Sequence, residues 1–176
     1  YKFDCPTPGY ENTTEAKPLS LVTYSPSVKF SATPGFSSET QTVTIEASSG
    51  TDNTIYYTTN GTVPTTGSNK YSGPVVIDKN TVLRARCINS STLAGTVATA
   101  SYFVNETPRT MMRVSVVADS TYLWDDEIGM YQNSYKDKRI PASIEFFQPD
   151  GSFMTQVNAG INPGTLTSYT CPQKPL

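Results

Sequence analysis

No histidine occurs in the 176 residues. That removes the side chain that most often serves as a general base near neutral pH, and the most frequent zinc ligand with it. No Ser-His-Asp or Cys-His arrangement can be assembled from such a chain. Cysteine is scarce: Cys5, Cys87 and Cys171 lie far apart with no CxxC spacing, so no thiolate metal cluster is expected. Their odd number leaves at least one thiol free or paired outside the chain. Cys87, in "VLRARCI", reads as a small buried residue; a Cys5–Cys171 or a Cys5–Cys87 bridge stays open. Glycine loops that cradle phosphates are missing, with neither a P-loop nor a GxGxxG, and no cofactor is expected. Charge is thin, 16% of residues for a formal net charge of -2, which leaves no electrostatic footprint for nucleic acid or anionic lipid. No apolar run approaches the roughly 20 residues of a membrane helix. No signal peptide opens the chain, since Tyr1 begins a polar segment, as expected of a mature or trimmed polypeptide.

What is present favours strands. Eleven Tyr and seven Phe offset an apolar content of only 36% with large buried area per residue, and Thr, Ser and Val are abundant. The stretch "TIYYTTNGTVPTT", residues 54–66, alternates side chains about an extended backbone. Asn60-Gly61 then offers two residues that tolerate positive φ, as a tight turn needs, and Pro64 opposes continuation as a paired central strand.

Similar strand-like segments recur at 27–31, 41–47, 73–77, 81–88 and 97–104. Segment 41–47 sets Val43, Ile45 and Ala47 on one face; segment 81–88 sets Val82, Arg84, Arg86 and Ile88 opposite Leu83, Ala85 and Cys87. Turn-forming stretches such as "SSGTDN", "IDKN" and "NSSTLAG" separate them. Short strands with this punctuation predict an antiparallel, immunoglobulin- or fibronectin-like β-sandwich over residues 25–105, after an extended, proline-bearing lead-in over residues 1–24. From residue 106 the character changes. Strands are expected at 112–118 and 142–148, a short helical turn capped by Asp119 or Ser120 between them, a turn at 149–151 and further extended chain beyond. This second segment, 106–176, is expected to be mainly β with some helix (α+β).

Three groups of residues carry candidate chemistry. Tyr56, Tyr57, Tyr71, Tyr102 and Trp124 could stack on a pyranose face, although aromatics in a small sandwich mostly fill the core. Alternation puts Tyr56 and Tyr57 on opposite faces, so at most one belongs to the core; the other is exposed, held against an adjoining domain, or in contact with a ligand. Asp125, Asp126 and Glu127 in "WDDEIG", with Asp119 nearby, gather oxygens that calcium would want; the spacing is not that of an EF-hand, and such acids also cap a helical turn. An acid pair across a sugar cleft does not follow from neighbouring acids. Asn12, Asn60, Asn89 and Asn105 head N-x-[ST] sequons. Segments 41–47, 71–77 and 97–104 could present sheet edges for self-assembly.

The stretch from Pro34 to Val104 resembles the chitobiase/β-hexosaminidase C-terminal-like domain, also called fibronectin type III-associated. The matching residues are Tyr57, Thr58, Gly61, Pro64 and Thr65, then Tyr71, Gly73 and Pro74, then Thr81, Leu83, Arg84 and Ala85. Asn60 replaces the usual Asp, which preserves the turn and creates a sequon. The following segment resembles the opening of a CotH-like domain, the spore-coat-type atypical kinase of many exported bacterial proteins. "RVSVVADSTYLWDDEIGMY", "RIPASIEFFQPDGS", "NAGI" and "PQKPL" carry that likeness, with Tyr169 in place of the family's arginine and Pro175 in place of its serine. The likeness implies a larger protein that transfers phosphate from ATP with divalent metal. The carboxylates this needs would lie downstream of this chain, and Lys174 would correspond to a phosphate-contacting lysine.

The expected function is therefore non-catalytic: an exported, extracellular or cell-surface segment serving as spacer or adhesion module of a larger CotH-like surface protein. Its expected partners are other surface proteins and polysaccharide. A carbohydrate-binding module and a fragment of a secreted kinase are the competing readings.

Overall fold

The computed structural model describes residues 23–50, 53–107, 110–133 and 139–162. Its elements are β1 (Val28–Phe30), β2 (Gly35–Ser37), β3 (Gln41–Val43), β4 (Ile45–Ala47), β5 (Ile55–Thr58), β6 (Asn69–Lys70), β7 (Val75–Ile77), β8 (Thr81–Cys87), β9 (Ala98–Val104), β10 (Arg113–Ala118), α1 (Ser120–Trp124), β11 (Ile140–Phe147) and β12 (Phe153–Ile161). Among the described residues the protein is all-β apart from that one short helix.

One layer is a five-stranded sheet in the order β2-β9-β8-β5-β6. Facing it are two ribbons, β1 paired with β4 and β3 paired with β7. Alternation explains the packing. Leu83, Ala85 and Cys87 of β8 point inward with Ala100, Tyr102 and Val104 of β9, and Val28, Val43, Ile45, Val75 and Ile77 meet them from the ribbons. This is one contiguous sandwich core, and Cys87 is a free thiol inside it.

Three sequence expectations need correction. Segment 41–47 is two strands: Val43 and Ile45 both stay buried, but pairing passes from β7 to β1 across Thr44. Segment 97–104 is no edge, because β2 pairs with β9 in parallel, Gly35 opposite Tyr102, while β8 holds its other side. Asn60-Gly61 does turn the chain, with Gly61 at φ 80, but Asn60 keeps negative φ. The chain then returns as β6 only at Asn69.

The third layer is the sheet β10-β11-β12, antiparallel throughout. It sits against the outer face of β9, and its polarity is inverted. The inward face carries Ser115, Ser143, Glu145 and Gln156, whereas Val114, Val116 and Val157 on the opposite face are 50%, 44% and 49% exposed. Inward polar groups of the third sheet are satisfied by hydrogen bonds, whereas the buried Thr99 hydroxyl of β9 has no partner among the described residues. The Ser101 amide donates to Glu145 Oε1 at 3.1 Å, its hydroxyl donates to Oε2, and Ser101 and Ser115 share a hydroxyl hydrogen bond of 2.9 Å. Gln156 donates to the Thr99 carbonyl at 3.2 Å. At one end the contact turns apolar. Phe147 meets Phe36 and Phe103 edge-on at 5.9 and 5.6 Å, and the Arg113 guanidinium covers the Phe36 ring at 4.1 Å.

Candidate binding surface

The opposite end of this layer contact is open. A cleft of about 670 Å³ lies there, with Arg84, Val97 and Tyr122 on one side and Ile140 and Pro141 on the other. Arg139 and Asn158 also line it. Its position follows from the strands. Arg84 alternates with Leu83 and Ala85, so the sandwich core takes its neighbours and pushes the guanidinium to the outer face. Asp119 caps α1 with Oδ1 on the Thr121 amide at 2.9 Å and receives the Val63 amide on Oδ2 at 2.6 Å. One carboxylate thus pins the loop after β5 to the helix that supplies Tyr122.

Arg84 is 6% exposed. Its Nη1 donates to the Gly61 carbonyl at 2.9 Å, and its buried Nε has no hydrogen-bond partner among the described residues. Burial lowers its pKa, Asp119 opposes that, and Arg86 adds to it. Arg86, half-buried, is likewise lowered by desolvation, with Tyr122 acting the other way, and its Nε is also unpartnered. A desolvated guanidinium, Arg84, and the exposed Arg139 lining one apolar-walled cleft make a site that favours an anion.

Glu145 is fully buried, and desolvation raises its pKa against the two Ser101 hydrogen bonds that lower it. Tyr102 is raised as well, by burial and then by Glu145. Both are structural. Tyr102 is 2% exposed, with its hydroxyl on the Ala32 carbonyl at 2.9 Å, so it leaves the set of ligand candidates. Tyr71 likewise packs against the core, its hydroxyl receiving the Ile45 amide.

The remaining aromatics are spread out. Tyr57 packs on the core edge-on to Tyr71 at 6.4 Å. Tyr56, on the other face, is half-buried and lines a shallow polar depression with Thr66 and Asn89. Trp124 is 58% exposed and stacks on Tyr131 at 4.6 Å and 12°. These three do not converge on one site.

The acidic stretch does not converge either. Asp125 Oδ1 receives the Glu127 and Ile128 amides, both at 2.9 Å, while Asp119 faces Val63. Among the described residues no three His, Cys, Asp or Glu side chains are placed to hold a metal ion. Of the sequons, Asn60 and Asn105 are exposed. Asn89 is bound in the fold, donating to Asn53 Oδ1 at 3.0 Å and accepting from the Thr54 amide at 3.1 Å. Asn12, Cys5, Cys171, Tyr169, Lys174 and Pro175 lie outside the described residues.

Sequence reasoning singled out neither Arg139 nor Glu145 and took Arg84 as a family residue only. The available signal was a strand with charged residues alternating against small apolar ones.

The architecture defines a class: a small two-layer β-sandwich carrying an added sheet. Residues 32–99 match the family model of the chitobiase/beta-hexosaminidase C-terminal domain. That stretch is a β-sandwich and is similar to a domain family named for chitobiase and beta-hexosaminidase. The match stops before β10, and the likeness of the second segment to CotH-like domains is not among the matches. No curated protein shows a significant match. No solved structure does either.

Proposed function

We propose that this chain is a non-catalytic contact segment of an exported surface protein, with CotH-like character in its second part. The observation that carries this reading is the inverted third sheet. It spends its polar side on a buried network with the sandwich and turns its apolar side outward. Exposed apolar sheet area is what a contact surface presents to another protein body. The buried network meanwhile makes the layers one stiff spacer. Among the described carboxylates, Asp119, Asp125 and Glu145 are occupied by backbone amides or Ser101, which is structural work. Extracellular location and glycans at Asn60 and Asn105 belong to the same proposal. The test joins two assays on the purified chain. Retention on cell-envelope preparations, with no turnover of magnesium-ATP or of aryl glycosides, supports the reading; turnover of either contradicts it.

A second reading, carbohydrate binding, is favoured by the exposed Trp124–Tyr131 stack and by the match of residues 32–99 to a module named for glycan-hydrolysing enzymes. Retention on insoluble polysaccharide, lost in Trp124→Ala, would establish it.

A further inference from the structure

We infer that the cleft between the sandwich and the third sheet binds an acidic sugar, with the carboxylate of a hexuronate ring directed at Arg84 and Arg139. This deepens the carbohydrate reading and rests on it, while moving the contact from the exposed Trp124 stack to a different site.

Four observations converge on the cleft. The volume, about 670 Å³, suits a ligand of one or two rings, since small-molecule sites run from roughly 300 to 1,000 Å³. Its walls offer apolar surface from Val97, Ile140 and Pro141 and the aromatic Tyr122, which matches the C–H face of a pyranose. Arg84 is a buried cation whose Nε is unpartnered, and the nearest acid, Asp119, has both oxygens committed to backbone amides. Arg139, exposed, brings a second guanidinium to the same space, and Asn158 brings an amide. A carboxylate entering here meets two fork-shaped donors, the buried Arg84 and the exposed Arg139, and charge-assisted hydrogen bonds to such planar donors are the strong ones. A neutral ring offers Arg84 only hydroxyl and ether acceptors, whereas a carboxylate offers a charge-assisted hydrogen bond, so the acid is favoured.

The backbone at the rim leaves room for entry. Gly160 has nothing closer than the Arg139 side chain, 3.7 Å from where a Cβ would stand. A bulky residue there would project beside Arg139, in space the ligand would use, without needing an unusual φ.

Titration calorimetry of the purified chain with oligogalacturonate, and with its methyl ester as the uncharged control, tests the inference. We expect saturable binding of the acid that weakens as salt is raised, and no binding of the ester. Gly160→Leu should abolish it, and Arg139→Gln should weaken it about tenfold, the scale of one charge-assisted hydrogen bond. Circular dichroism of both variants should match the parent. Equal binding of acid and ester overturns the acid-specific site while leaving carbohydrate binding standing. Unchanged affinity in both folded variants moves the site elsewhere and overturns the inference. Absence of any binding to the folded parent overturns it and leaves the contact-segment proposal untouched. Equal competition by an acidic peptide overturns the assignment to sugar.

Discussion

Glu145 of β11 and Ser101 of β9 are joined twice, amide to Oε1 at 3.1 Å and hydroxyl to Oε2, in a fully buried position between two sheets. No cation partners this carboxyl within the network. Desolvation therefore raises its folded-state pKa above the unfolded value of roughly 4.3. The native chain then holds a proton that the unfolded chain gives up, and stability falls where that is so. The contribution from Glu145 is complete below the unfolded value, is lost as pH rises through the folded value, and is flat above it. Urea unfolding from pH 4 to pH 8 should show this decline in the parent. In Glu145→Gln, whose amide keeps an acceptor for the Ser101 amide and gains a donor toward its hydroxyl, the decline should be absent. Glu145→Ala should cost about 1–3 kcal/mol by orphaning the Ser101 amide.

Asp119 links two parts of the chain with one side chain. Removing it leaves the Val63 and Thr121 amides without their acceptor and α1 without its N-cap. Asp119→Ala should lose about 1–2 kcal/mol in denaturant unfolding. Asp119→Asn, which retains an acceptor, should lose less.

Phe147 is the apolar bolt of the same interface. It is fully buried and meets Phe36, Phe103 and Phe153, the last at 6.0 Å. Phe147→Ala should destabilise by about 3–5 kcal/mol, the range for a buried aromatic truncation. Phe147→Leu should recover most of that. Thermal melts of the pair would show the ordering directly.

Gly151 shows a backbone requirement. It sits at φ +90, and a Cβ there would stand 3.0 Å from Phe36 Cβ. Gly151→Ala should cost about 1–3 kcal/mol from strain and crowding. Gly73, where a Cβ would meet nothing within 4 Å, is the control, and Gly73→Ala should shift the melt little.

Much of the sandwich was legible because burial in strands has a period of two. Leu83, Ala85 and Cys87, and Val43 with Ile45, declare their inward face in the sequence. Partners are another matter. Alternation says which face a residue takes and nothing of which neighbour the strand pairs with, so the switch at Thr44 and the parallel pairing of β2 went unread. The three residues of β2 carry too little pattern to mark a strand. The third sheet was misleading for a physical reason. Polar residues alternating in a strand read as solvent-facing, yet Thr99, Ser101 and Glu145 are buried against one another, while Val114 and Val116 stand outside. Of the candidate site, Arg84 stood in a recognisable strand. Its cleft could not be foreseen, because it forms only where Arg139, Ile140 and Pro141 are brought opposite it from more than fifty residues away.

Native-state hydrogen exchange at the Ser101 amide tests the central claim, that sandwich and third sheet form one stiff contact body, because this amide bonds across the interface to Glu145. The account predicts that it opens with the same free energy as the slow core amides of β8, and that both respond alike to added urea. Exchange at Ser101 orders of magnitude faster than in β8 would show that the sheets part while the sandwich stays folded, and would contradict it.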